Sequence, residues 1–172
     1  MNSGILVIDA FWSSNKPFPT ALKENTIDGI AFYNNYHGTA RYLGWMDLIL
    51  LKDFIQQQDI EHIILKNLDT LGKIAKITKN IQICSAYTYN NFVIRSLAPG
   101  VKLSNCRPIY KTIQIGGWDS YDNELHVRAQ HYMQYLLMHT QVQSITNETS
   151  KKKFVVRFDD AGKVIFETLP HS

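Results

Sequence analysis

The side chains able to do chemistry are sparse and scattered in this 172-residue sequence. Of its six histidines, His126 and His131 stand closest together. A five-residue step on a helix leaves two side chains about 140° apart, so the pair does not share a face as two ligands of one metal would. No His-Glu-x-x-His pattern occurs, and no metal ligands are assigned. A loop that cradles phosphate needs glycines ahead of a Lys and a Ser or Thr. Gly116-Gly117 is followed by Trp118-Asp119 instead. No Gly-x-Ser-x-Gly elbow presents a serine nucleophile. Cys84 lies in an apolar run and reads as a buried free thiol, and nothing in the sequence pairs it with Cys106. Motifs alone assign no catalytic residue.

The elements that would position any site are legible in outline. Residues 5–10 read as a short buried strand, and the prolines at 17 and 19 impose a loop. A short helix is expected from Thr20, then a polar, aromatic loop over 33–44. Asp47 is placed to cap a helix over 48–58 that buries Leu48, Leu51, Phe54 and Ile55. Further strands are predicted at 62–65, 81–87 and 109–115, the last broken by Gly116-Gly117. A long helix is predicted over 120–139, with Leu125, Ala129, Tyr132, Met133 and Leu136 on one face. Residues 154–158 and 164–166 flank Asp159-Asp160-Ala161-Gly162, a hairpin signal, and Lys151-Lys152-Lys153 reads as a linker before it. Strands alternating with helices through residue 145 give an α/β class.

Composition narrows the function classes. Hydrophobic residues make up 45% and charged residues 19%, a globular balance. Eighteen basic against fifteen acidic side chains leave +3, a weak field for a nucleic-acid binder, and the stripe Lys73, Lys76, Lys79 is short. No basic stretch precedes the first apolar run, and no run approaches the ~18 residues of a membrane span. The expectation is a cytoplasmic protein that binds neither membrane nor nucleic acid.

One ordered set of segments goes further. His37-Gly38-Thr39-Ala40-Arg41-Tyr42-Leu43-Gly44-Trp45-Met46-Asp47 resembles the Thr-Gly-Arg-Pro-Arg-Arg-x-Gly-Trp-Leu-Asp segment of adenylosuccinate synthetases. Lys16-Pro17-Phe18-Pro19-Thr20 is similar to that family's Gly-Pro-Phe-Pro-Thr, and Leu65-Lys66-Asn67-Leu68-Asp69 to its Leu-Thr-Lys-Leu-Asp. Cys84-Ser85-Ala86-Tyr87 resembles Cys-Val-Ala-Tyr. Pro108-Ile109-Tyr110-Lys111-Thr112 with Gly117-Trp118 resembles Pro-Val-Tyr-Glu-Thr-x-Pro-Gly-Trp. The segments keep the family's order over residues 16–139 and correspond to the C-terminal part of its longer chain.

The resemblance implies a partial, mostly parallel central sheet with flanking helices, of a P-loop-type architecture without the P-loop half. Residues 1–150 would form the synthetase-like region. Residues 151–172 would add a C-terminal β-hairpin that covers a sheet edge. The family joins IMP to aspartate with GTP and Mg2+, phosphorylating the IMP 6-oxygen before the amine displaces the phosphate. Its phosphate loop, catalytic aspartate and catalytic histidine lie near the N-terminus, and no Gly-Asp-Glu-Gly-Lys-Gly-Lys segment occurs here. The resemblance therefore implies a truncated relative, inactive alone. Alternatives are one subunit of a split synthetase or a purine-nucleotide-binding regulatory module; GTP and IMP are the implied ligands. A partner chain carrying the missing half, or a second copy, is the implied protein partner. By resemblance, Arg41 keeps one of three aspartate-binding arginines, and Thr39 replaces another. Asp69 keeps the carboxylate that reads guanine, and Asn67 replaces the lysine whose stem lies along the base. Gln143-Ser144-Ile145-Thr146-Asn147 stands near the place of a Gly-Pro-Asp-Arg segment that closes the family's nucleotide site.

Overall fold

The structure, a computed structural model, describes residues 4–14, 18–20, 42–121 and 124–171. The short helix expected from Thr20 and most of the 33–44 loop lie outside them. Strand β1 (Gly4–Asp9) is followed by the short pair β2 (Trp12–Ser14) and β3 (Tyr42–Gly44). Helix α1 (Leu48–Gln58) starts where expected: the Asp47 carboxylate Oδ1 accepts from the amides of Ile49 (3.0 Å) and Leu50 (3.1 Å), satisfying two donors of the first turn. Next come β4 (Ile60–Lys66), α2 (Leu68–Thr78), β5 (Asn80–Tyr89), β6 (Phe92–Ile94) and β7 (Arg107–Ile115). Helix α3 (Val127–Thr140), β8 (Ser144–Glu148), β9 (Lys152–Phe158) and β10 (Val164–Pro170) complete the described order.

The α/β expectation holds. A five-stranded sheet runs β1-β4-β8-β9-β10, parallel through its first three strands and antiparallel through the last two. The predicted hairpin is β9–β10, and β9 pairs with β8, so it extends the central sheet. Lys152 and Lys153 belong to β9, so the expected linker is largely strand. A second, three-stranded antiparallel sheet has the order β6-β5-β7. One face of the central sheet, carrying Leu6, Ile63, Leu65, Ile145, Phe154 and Val156, joins the apolar faces of α1 and α3 in one core. All five residues of the predicted 120–139 stripe are buried there.

Three departures have physical causes. Helix α3 begins only at Val127, because the His126 ring Nδ1 accepts from the Arg128 amide (3.0 Å) and so caps it there. Helix α2 was unassigned; Gly72 interrupts its apolar pattern because the Trp118 ring occupies the space a Cβ would fill, 2.4 Å away. Strand β8 (Ser-Ile-Thr-Asn-Glu) is polar in sequence yet buried at three positions, because it lies between β4 and β9. Phe54, expected in the core, is 44% exposed on the α1 face beside β1. Among the described residues no helix is long and apolar enough to cross a membrane.

Candidate nucleotide site

Parallel strands collect ligands at their carboxyl ends, where the following helix presents free amides. Strand β4 ends at Lys66, and α2 begins two residues later. Asn67 makes the turn between them with φ 57°, a left-handed conformation that asparagine tolerates better than most residues. Its side chain does not cap α2. Instead Nδ2 donates to Asp9 Oδ1 at 2.7 Å, tying the start of α2 to the end of β1. Asn67→Ala should therefore cost about 1–2 kcal/mol, combining left-handed strain with a lost charge-assisted bond. Asn67→Gly should lose only the bond. Urea denaturation of both variants checks the ordering.

Asp69 sits in the first turn of α2, and its Oδ1 accepts from the Thr70 amide at 2.9 Å. It lines a cavity of about 410 Å3 with Ile64, Lys66, Asn67, Tyr121 and Asn147. The far wall is rigid. Tyr121 Oη donates to Asn147 Oδ1 (2.6 Å), and Asn147 Nδ2 donates to the Leu65 carbonyl (2.8 Å). Asn147 is thus buried with both ends of its amide satisfied. Tyr121 also packs edge-on against Phe154. Burial, and then the negative charge of Asp69, push its phenol well above the usual tyrosine range. The hydroxyl therefore stays protonated and presents a neutral aromatic wall opposite a carboxylate.

The two guanine candidates, Asn67 and Asp69, thus share one cavity. The anion candidates Thr39 and Arg41 lie outside the described residues. Sequence reasoning did not name Tyr121 or Asp9 as partners of this site. Asn147 was visible only as the last residue of the polar run 143–147, and the parallel pairing of β4 with β8 brings that run to the cavity. GTP and Mg2+ fit unequally. The cavity offers a carboxylate and an aromatic wall to a purine, whereas no group of three or more His, Cys, Asp or Glu converges among the described residues to hold a metal.

The remaining titratable groups belong to packing. Cys84 and Cys106 are both free and buried, as expected for Cys84. Burial, then the charge of Asp47, pushes the Cys84 thiol up to about 12, so it is inert at neutral pH. His131 meets Gln114 across 3.2 Å, and Lys76 of the basic stripe pairs with Asp119.

Comparison with known proteins places this geometry. The profile of the adenylosuccinate synthetase family matches residues 6–154. Adenylosuccinate synthetase of Clostridium kluyveri is 32% identical over 108 residues, covering 60% of this chain and 24% of its own. The Geobacillus sp. enzyme is 32% identical over 128 residues, covering 69% and 29%. The fully ligated adenylosuccinate synthetase structure from Plasmodium falciparum superposes with a TM-score of 0.65 at 18% identity, over 84% of this chain and 37% of that one. The matched region spans about a quarter of the length of the curated relatives. With its family profile, its identities and its fold in agreement, the chain belongs to the adenylosuccinate synthetase family.

Proposed function

We propose that this chain is a guanine-nucleotide-binding member of its family that does not make adenylosuccinate alone. The observation that carries the reading is Asp69, a carboxylate on the first turn of α2 lining a cavity at the carboxyl ends of β4 and β8. A carboxylate is acceptor-only. Guanine offers it the ring N–H and the exocyclic amine on one edge, hypoxanthine only the N–H, and the same edge of adenine neither. Tyr121 and Asn147 are fixed by their mutual hydrogen bond and give the base a preformed wall.

Turnover needs more. The sequence has no Gly-Asp-Glu-Gly-Lys-Gly-Lys segment, and of the family's three aspartate-binding arginines only Arg41 remains. Positioning and charge stabilisation dominate phosphoryl transfer, so a chain without these groups holds the base and leaves the phosphate unactivated.

Calorimetry with GDP, IDP and ADP tests the binding. Affinity should fall in that order, and Asp69→Asn should weaken GDP about tenfold or more, the scale of one charge-assisted pair. Equal affinity for GDP and ADP would remove the reading. Incubation with IMP, aspartate, GTP and Mg2+ should yield no adenylosuccinate; sustained product formation would overturn the second half of the proposal.

A further inference from the structure

Strand β1 is the unpaired edge of the parallel part of the central sheet, bonded to β4 on one side only. Parallel sheets are ordinarily covered on both faces, and natural edges are blunted with charge. From Gly4 to Ile8 this edge carries no charged side chain.

Register separates the two faces. One row across the sheet reads Val7, Ile64, Thr146, Val155, Glu167, and the next reads Ile5, His62, Ser144, Arg157, Ile165. Both rows lie on the face opposite the core, and none of their apolar members belongs to it. Away from β1 that face is polar and internally satisfied: His62 bonds Ser144 at 2.8 Å and Arg157 pairs with Glu167. At β1 it is apolar and open, with Ile5 60% and Val7 50% exposed.

The other face of β1 is open too. A groove of about 360 Å3 runs between β1 and α1, lined by Leu6, Ile8, Trp12, Leu51 and Phe54. Phe54 follows the apolar stripe of α1 yet finds no neighbour beyond β1. The edge is thus apolar on both sides and lacks both a strand beside it and cover over it.

We infer that β1 docks a polypeptide carrying the amino-terminal part of the synthetase fold, which adds a strand to β1, fills the Phe54 groove and covers Ile5 and Val7. This identifies a partner for the proposed function and rests on family membership rather than on nucleotide binding. The curated relatives are about four times as long as the region they share with this chain, so their fold continues past these strands. A second copy fits less well. Two β1 strands paired about a twofold axis normal to the sheet would close the groove with Phe54 from each copy. The apolar patch of Ile5 and Val7 would then be doubled in the open instead of buried.

The test is co-expression of this chain with the Clostridium kluyveri synthetase truncated before its matched region, followed by light scattering and amide exchange. A one-to-one complex that protects the β1 amides is expected. Ile5→Lys with Val7→Lys should weaken it about tenfold or more. Both side chains are exposed, so the variant's circular dichroism and its GDP affinity should match the parent's. Absence of a complex, a complex indifferent to the two lysines, or concentration-dependent self-association through the same residues would each overturn the inference. Loss of GDP binding with the complex intact would strike the nucleotide reading alone.

Discussion

Gly117→Ala should destabilise the fold by about 3 kcal/mol or prevent folding, the scale of a severe overpacking substitution. A Cβ at Gly117 would lie 2.0 Å from the Gly72 carbonyl oxygen and 2.8 Å from the Lys76 amide nitrogen. Both are backbone atoms of α2 and cannot swing aside. The chain passes this close because Trp118, 1% exposed, must slide its indole over Gly72 and donate from Nε1 to the Leu68 carbonyl at 3.1 Å. Displacing Gly117 therefore withdraws Trp118 from the core and disturbs the first turn of α2, where Asp69 sits. Denaturant unfolding and GDP calorimetry should deteriorate together in any Gly117→Ala protein that folds. Gly162→Ala is the control: nothing lies within 4 Å of its Cβ, and its φ of +80° adds only local strain, about 1 kcal/mol. Equal stability of Gly117→Ala and the parent would contradict the close approach.

Asp47 should make stability fall as pH rises through the weakly acidic range. Its carboxyl is pushed up from 3.8 to about 6, because burial outweighs the two amide bonds that favour the anion. A folded pKa above the unfolded one means that the native chain binds the proton more tightly. The group's contribution is therefore full below about pH 4 and is lost between about 4 and 6. At 1.36 kcal/mol per unit, the loss is about 3 kcal/mol. Asp47→Asn keeps an oxygen for the Ile49 and Leu50 amides without a charge to desolvate. Between pH 4 and pH 7.5, the stability of Asp47→Asn relative to the parent should rise by about 3 kcal/mol. Asp47→Ala should show the same slope but lie about 1 kcal/mol lower throughout for want of a cap. Parallel pH profiles for the parent and Asp47→Asn would refute the assignment.

What the sequence disclosed followed the strength of local signals. The Asp47 cap, the α3 stripe and the β9–β10 hairpin depend on residues close in the chain, and all three stand. Helix α2 and strand β8 escaped because distant partners determine them. Trp118, 46 positions away, is the reason for Gly72, and flanking strands bury Thr146 and Asn147. Phe54 fails in the opposite sense: its spacing is right for burial, but no described neighbour reaches it. Asp69 and Asn67 could be named only through family resemblance. Tyr121 and Asn147, which build the opposite wall, come from segments more than fifty residues further on, and only the β4–β8 pairing unites them.

The change of strand direction between β8 and β9 gives the sheet a growing side and a finished side. On the finished side β10 ends at Pro170, which has no amide to offer a newcomer. Just beyond it the His171 amide donates to the Lys151 carbonyl at 3.1 Å, and its imidazole lies 3.4 Å from Glu148, fastening the tail to the strand layer. Purification handles or fluorescent labels appended after Ser172 would hang from that fastened border. The same additions ahead of Gly4 would crowd the strand at which the layer is still able to widen.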